Sequence, residues 1–191
     1  MVAKRSMKNK IDGEQISGTD SFAAPATAAA AAPKREPTPR KQLGITDDEF
    51  QQMGEIGAMY YYQGKLEEAQ TIFEGLVEVD PESGNAHAAL GGLLTHLQRD
   101  EEALPHLDRA IELDSHQIAP WVNRAEVRLR QQQIEAALAD LKRAIALDPE
   151  ESDPAANRAR AIVYGIHEAI TARANQEAEM TAGAREAEGI M

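Results

Sequence analysis

The chain has 191 residues, a formal net charge of −12 and no cysteine. That length suits one small domain with tails. The missing cysteines exclude a disulfide framework and thiolate chemistry, and the acidic balance disfavours nucleic acid, whose phosphates it repels.

Residues 1–45 differ in kind from the rest. They hold few large apolar residues, an alanine run from Ala28 to Ala32, and four prolines between Pro25 and Pro39. Such a segment cannot bury enough surface to offset its ordering entropy, so the composition predicts a disordered, Ala/Pro-rich tail. Eight Lys or Arg against four Asp or Glu give it +4, which leaves −16 on residues 46–191. A solubilising leader is favoured over a partner-binding arm, because charge blocks are usually solvated. Met1 to Lys10 is basic, but no apolar stretch of a secretory signal follows it. No segment approaches the ~20 apolar residues of a membrane span. These features predict a cytoplasmic protein without membrane insertion.

From Thr46 onward the chain repeats. Asp80-Pro81, Asp114-Ser115 and Asp148-Pro149 recur at an interval of 34, which aligns three units: 50–83, 84–117 and 118–151. The eighth position is small (Gly57, Gly91, Ala125), the twentieth is alanine (Ala69, Ala103, Ala137) and the twenty-fourth is bulky (Phe73, Leu107, Leu141). The next apolar pairs are Leu76-Val77, Ala110-Ile111 and Ala144-Ile145. Apolar residues at 69, 72, 73, 76 and 77, and their equivalents 34 and 68 positions on, follow the spacing of an amphipathic helix. Small residues let the two helices of a unit approach, and bulky ones fill the gap.

Helix boundaries are marked as well. Thr46 and Glu49 form a capping box, and turns fall at Gln63-Gly64-Lys65 and Gln98-Arg99-Asp100. The pattern predicts helix pairs near 46–63/66–79, 84–97/100–113 and 118–131/134–147. Asp153 before Pro154 starts a further helix over 152–180, whose face Ala155, Ala159, Ile162, Val163, Ile166 and Ile170 covers the open end. Residues 181–191 lose the apolar stripe and are expected to fray.

Catalytic and metal constellations are not visible. His87, His96, His106, His116 and His167 show no i, i+4 pair and no compact cluster with carboxylates. No Gly-x-Ser-x-Gly turn or phosphate loop is present; Gly91-Gly92 lies inside a predicted helix. Arg124, Arg128 and Arg130 are a local basic exception. No enzyme, metal or cofactor is expected.

The period and the aligned positions resemble the tetratricopeptide repeat. The resemblance implies an all-α, three-repeat solenoid with a C-terminal capping helix and a non-catalytic, protein-binding role. It also implies that the first helices line a concave groove, through Gln51, Gly54, Ala58, Tyr61 and Tyr62, then Asn85, Ala88, Gly92, Thr95 and His96, then Ala119, Val122, Glu126, Leu129 and Arg130. Gly and Ala leave hollows there, and the tyrosines offer flat area with a hydroxyl, a surface for an extended apolar peptide. Tyr60 is the core member of its tyrosine run. The repeats that clamp the acidic C-terminus of heat-shock chaperones need cations and amides at positions held here by Gly54, Ala58, Ala89, Ala119 and Asn123. No cation is in place for a carboxylate.

A more particular resemblance rests on Met59 to Ala69 (Met-Tyr-Tyr-Tyr-Gln-Gly-Lys-Leu-Glu-Glu-Ala) and on Ala119 to Glu126 (Ala-Pro-Trp-Val-Asn-Arg-Ala-Glu). These stretches are similar to the class II chaperones of bacterial type III secretion. That implies a cytoplasmic chaperone holding an extended segment of a secreted translocator-type protein. Those chaperones carry aromatics where this chain has Gly54 and Ala58, and Tyr61 matches. The alternatives are a generic scaffold or assembly factor and a non-catalytic subunit of a larger complex. A second copy of the chain, forming a homodimer, is a further candidate partner.

Overall fold

The computed structural model describes residues 37–188, with side chains up to Met180. It holds eight helices and no strand among the described residues: α1 (Pro39–Gln42), α2 (Asp47–Tyr62), α3 (Leu66–Val79), α4 (Gly84–His96), α5 (Asp100–Leu113), α6 (Ile118–Arg130), α7 (Ile134–Ala146) and α8 (Pro154–Glu188). Helices α2/α3, α4/α5 and α6/α7 form three antiparallel hairpins, as the 34-residue period requires.

Local chemistry sets the helix starts. Thr46 Oγ1 accepts from the Glu49 amide, and the Glu49 carboxylate accepts from the Thr46 amide at 2.9 Å. Ser83 Oγ accepts from the Ala86 amide, and Asp153 accepts from the amides of Ala155 and Ala156. Each of these side chains satisfies donors that the first helical turn leaves without a partner. The hairpin turns also repeat. Gly64 has φ +75°, and 34 and 68 positions on Gln98 and Gln132 take φ 58° and 62°. Only the first of the three turns uses the residue that occupies this region without steric cost.

Packing inside each hairpin follows the small-against-bulky pairing. A Cβ added at Gly57 would lie 2.5 Å from Phe73 Cε1, and one at Gly91 would lie 2.8 Å from Leu107 Cδ2. Ala69, Ala103, Ala137, Leu107 and Leu141 are all fully buried. The hairpins then stack with each second helix on the next first helix (α3 on α4, α5 on α6, α7 on α8) and, beside that, with α2 against α4, α4 against α6, and α6 against α8. The backbones of α3, α5 and α7 stay apart from one another. First helices that crowd together while second helices splay apart give a solenoid with a concave face built from α2, α4, α6 and the start of α8.

Neighbouring helices are also joined by charge. Asp140 is buried on α7 and accepts from Arg124 at 2.8 and 2.9 Å and from Arg128 at 2.6 Å, while Arg124 also reaches Asp108. Arg130 pairs with Asp100. The three arginines that looked like a local basic patch are therefore engaged within the protein.

Three expectations about the ends change. The ordered part does not begin at 46: α1 and the residues to Ile45 pack on the first repeat. Arg40 stacks over the Phe50 ring at 4.4 Å, pairs with Asp80 at 3.2 Å and contacts Asp47. One guanidinium thus supplies what composition alone did not show. The rest of the predicted tail, residues 1–36, lies outside the described residues. At the other end Ile170 does not cover the last repeat. Ala155, Ala159, Ile162, Val163 and Ile166 do, and every residue from 167 to 180 is exposed. The helix nevertheless runs on to Glu188 instead of fraying after Met180. Its Ala, Glu, Gln and Arg content and the Arg173–Glu177 pair sustain it without tertiary cover.

The pairing predicts opposite results at two helical glycines. Gly91→Val should cost about 1–3 kcal/mol by overpacking against Leu107. Gly75→Ala, where nothing lies within 4 Å of an added Cβ, should be neutral or stabilise by up to ~1 kcal/mol. Thermal melts of the two variants check both signs.

Candidate peptide-binding groove

Two hollows lie side by side on the concave face. One, of about 640 Å³, is lined by Arg40, Phe50, Gln51, Gly54, Leu76 and Asn85 among others. The second, of about 440 Å³, runs from Tyr61 and Tyr62 past Ala88 and Gly92 to Asn123, Glu126 and Arg158. Ala58 and Ala89 line both, so the two are continuous across a floor of small side chains. Helix α2 supplies one wall, α4 the floor, and α6 with the first turns of α8 the far wall.

The aromatic rim is held in place. Tyr61 Oη lies 3.2 Å from His96 Nδ1, and the two rings meet edge-to-face with centroids 5.4 Å apart. Tyr62 stands 85% exposed, in edge contact with Tyr61. Tyr60 packs on the core with Lys65 over its ring. Tyr61 is therefore fixed by a neighbouring repeat, whereas Tyr62 is free to meet a ligand. At the far end Arg158 donates to Asn123 Oδ1 at 2.6 Å and pairs with Glu126 at 3.0 Å. That corner is polar but internally neutralised.

Of the residues expected to line the groove, Gln51, Gly54, Ala58, Tyr61, Tyr62, Asn85, Ala88, Gly92, Thr95, His96, Ala119 and Glu126 do line these hollows. Thr95 is itself buried and spends its hydroxyl on the Gly91 carbonyl at 2.8 Å. Three residues of α6 are not brought to the groove. Val122 is fully buried in the second core cluster, and Leu129 packs on the same cluster. Both belong to the core shared by α6, α7 and α8. Arg130 is drawn to Asp100 on the neighbouring hairpin. Arg40, Arg158 and Ala155 line the groove but lie outside the repeats, so the repeat positions could not point to them.

The joint that sets α8 against the last repeat is built on the third recurring aspartate. Asp148 accepts from Arg160 Nη1 at 3.1 Å and from the Ser152 and Asp153 amides. Burial alone would raise its pKa. The Arg160 guanidinium and the two amides outweigh that and hold it below the usual carboxylate range. At the other end the equivalent Asp80 pairs with Arg40 at 3.2 Å.

No curated protein matches the chain. Family models of the tetratricopeptide repeat match residues 59–118 and 118–151. Among solved structures, the fold is similar to the Yersinia enterocolitica type III secretion translocator chaperone SycD (TM-score 0.60, 18% identity, 69% of this chain and 99% of that one). It is also similar to PcrH from Pseudomonas aeruginosa (0.58, 25%, 65% and 96%) and to PcrH in complex with the chaperone binding region of PopD (0.57, 27%, 68% and 96%). The protein is a tetratricopeptide-repeat solenoid, and it resembles the translocator chaperones of type III secretion. Among the described residues no helix is long and apolar enough to cross a membrane, and no three His, Cys, Asp or Glu gather as metal ligands would.

Arg40 should matter to the groove's first hollow. Arg40→Ala removes a ring contact and strands a half-buried Asp80, at about 1–2 kcal/mol. The melting temperature should fall by ~5 °C, while the exposed Lys41→Ala leaves it unchanged.

Proposed function

We propose that this protein is a cytoplasmic chaperone that holds an extended, apolar segment of a secreted translocator-type protein in its concave groove. The observation that carries the reading is the continuous pair of hollows floored by Ala58, Ala88, Ala89 and Gly92 and rimmed by Tyr61 and Tyr62. A floor without side-chain knobs admits the anchors of an extended peptide, and the tyrosines give area at low entropy cost. SycD is described as a translocator chaperone, and PcrH binds the chaperone binding region of PopD. These similarities support the same kind of cargo here. No catalytic step is invoked; the bound segment is kept apart from premature association.

A second surface favours self-association. Met53, Ile56 and Met59 on α2 and Leu43 before it are exposed, beside Ile72 of α3. In α4, the positions 34 further on include Leu90 and Leu93, both buried. Among the described residues no further repeat covers this face, and a second copy of the chain would do so.

Filling a hollow tests the groove. With a translocator-type protein co-expressed as probe, Ala88→Trp should keep the parent's helicity and melting point but abolish co-purification. Tyr61→Ala should weaken binding by about 1–2 kcal/mol, the loss of one aromatic contact. Arg143→Ala, exposed on α7, should change nothing. Normal binding by Ala88→Trp, with loss in Arg143→Ala, would move the partner to the outer face and make the protein a scaffold.

A further inference from the structure

His87 on α4 and His106 on α5 meet in the central hairpin, a pair that their separation in the sequence concealed. Their Nδ1 atoms are 3.0 Å apart and the ring centroids 5.2 Å apart. The other nitrogen of His87, Nε2, lies 3.2 Å from the Pro81 carbonyl oxygen. A carbonyl only accepts, so Nε2 of His87 carries the hydrogen and Nδ1 presents its lone pair. His106 must then donate from its own Nδ1, which leaves its Nε2 as an open base. The geometry assigns one tautomer to each ring.

An added proton goes to His106 Nε2 and leaves the contact intact. Glu74 of α3 and Glu102 of α5 favour a charge there. A second proton has only His87 Nδ1, at which the His106 N–H already points. Arg109 of α5 opposes charge on His87, and Glu82, in the turn before α4, favours it. Two N–H donors cannot face each other at 3.0 Å, so the doubly charged pair must separate.

We propose that His87 and His106 form a pH-sensitive lock between α4 and α5, closed while the pair holds at most one extra proton and released by the second. The groove side of α4 carries Ala88, Ala89 and Gly92, so release in this hairpin reaches the groove floor. The inference stands whatever the groove binds. Burial, the leading cause for both rings, holds their pKa values below the ordinary histidine value. Below about pH 6.5 the unfolded chain then binds more protons than the folded one. The lock's stabilisation is complete above that pH and is lost as pH falls through the folded values.

Long-range nitrogen–proton NMR on the full chain reads the tautomers directly. At about pH 7.5, His87 should appear as the Nε2–H form and His106 as the Nδ1–H form. On acidification the amides of Ala88, Ala89 and Gly92 should move with the pair's last protonation. His106→Gln can still donate to His87 Nδ1 but takes up no proton. Its loss of melting temperature between about pH 7.5 and 5.5 should be less than half that of the parent. His116→Gln, at an exposed ring beside Asp114, should keep the full loss. Reversed tautomers, or two rings titrating independently at the ordinary histidine value, would overturn the lock. So would a His106→Gln protein as acid-sensitive as its parent. If His106→Gln fails to fold, the tautomer measurement decides alone.

Discussion

The structure depends on the close approach of two helices at one point, repeated every 34 residues. Gly57 faces Phe73, and Gly91 faces Leu107, at distances that leave no room for a side chain on the glycine. Ala125 and Leu141 are the third such pair, both fully buried. Once a hairpin closes there, the remaining apolar residues of its second helix face the next hairpin, and stacking buries them. Interiors packed to this density transmit the spacing of one hairpin to the next. The groove is a by-product: the first helices crowd on one side because the second helices splay on the other.

A stack of identical units has two unsatisfied ends, and this chain treats them differently. The C-terminal end is closed by α8, seated through Ala156 and Ala159 and tied by Arg160 to Asp148. The N-terminal end has a clamp at its edge, where Arg40 joins Phe50, Asp47 and Asp80, but among the described residues nothing covers its broad apolar outer face. The recurring aspartate serves at both ends, each time with an arginine from outside the repeats. Stability in such solenoids is close to a sum of units and their interfaces, so an uncovered end is the natural place for association.

Polar groups inside the stack explain features that apolar packing does not. Asp140 is buried and is neutralised by two partly covered arginines, Arg124 and Arg128, so losing both would leave a buried, uncompensated charge. The same network removes the cations that might have attracted phosphates. In the central hairpin, His87 and His106 stand where the first repeat has Met53 and Ile72 and the third has Trp121 and Asp140, and their hydrogen bonding makes that contact sensitive to protons.

The period, the small and bulky positions and the capping residues were enough to determine an all-α repeat, because each is a local rule read along one helix or one turn. The hollow-lining positions of Ala58, Tyr61, Ala88 and His96 were instead implied by the resemblance to the tetratricopeptide repeat, whose first helices line the concave face. Tertiary structure alone decided the rest. Val122 and Leu129 sit at groove positions of the repeat, yet they pack in the core that α6 shares with α7 and α8. Arg130 is claimed by Asp100 on another hairpin, and Arg158 enters the groove from a helix that is not a repeat. Arg40, read as part of a disordered tail, is ordered by contacts reaching as far as Asp80. The His87–His106 contact lies 19 residues apart, across a hairpin. Periodicity says which way a side chain points on its own helix; what meets it there is set by the stacking of helices distant in sequence.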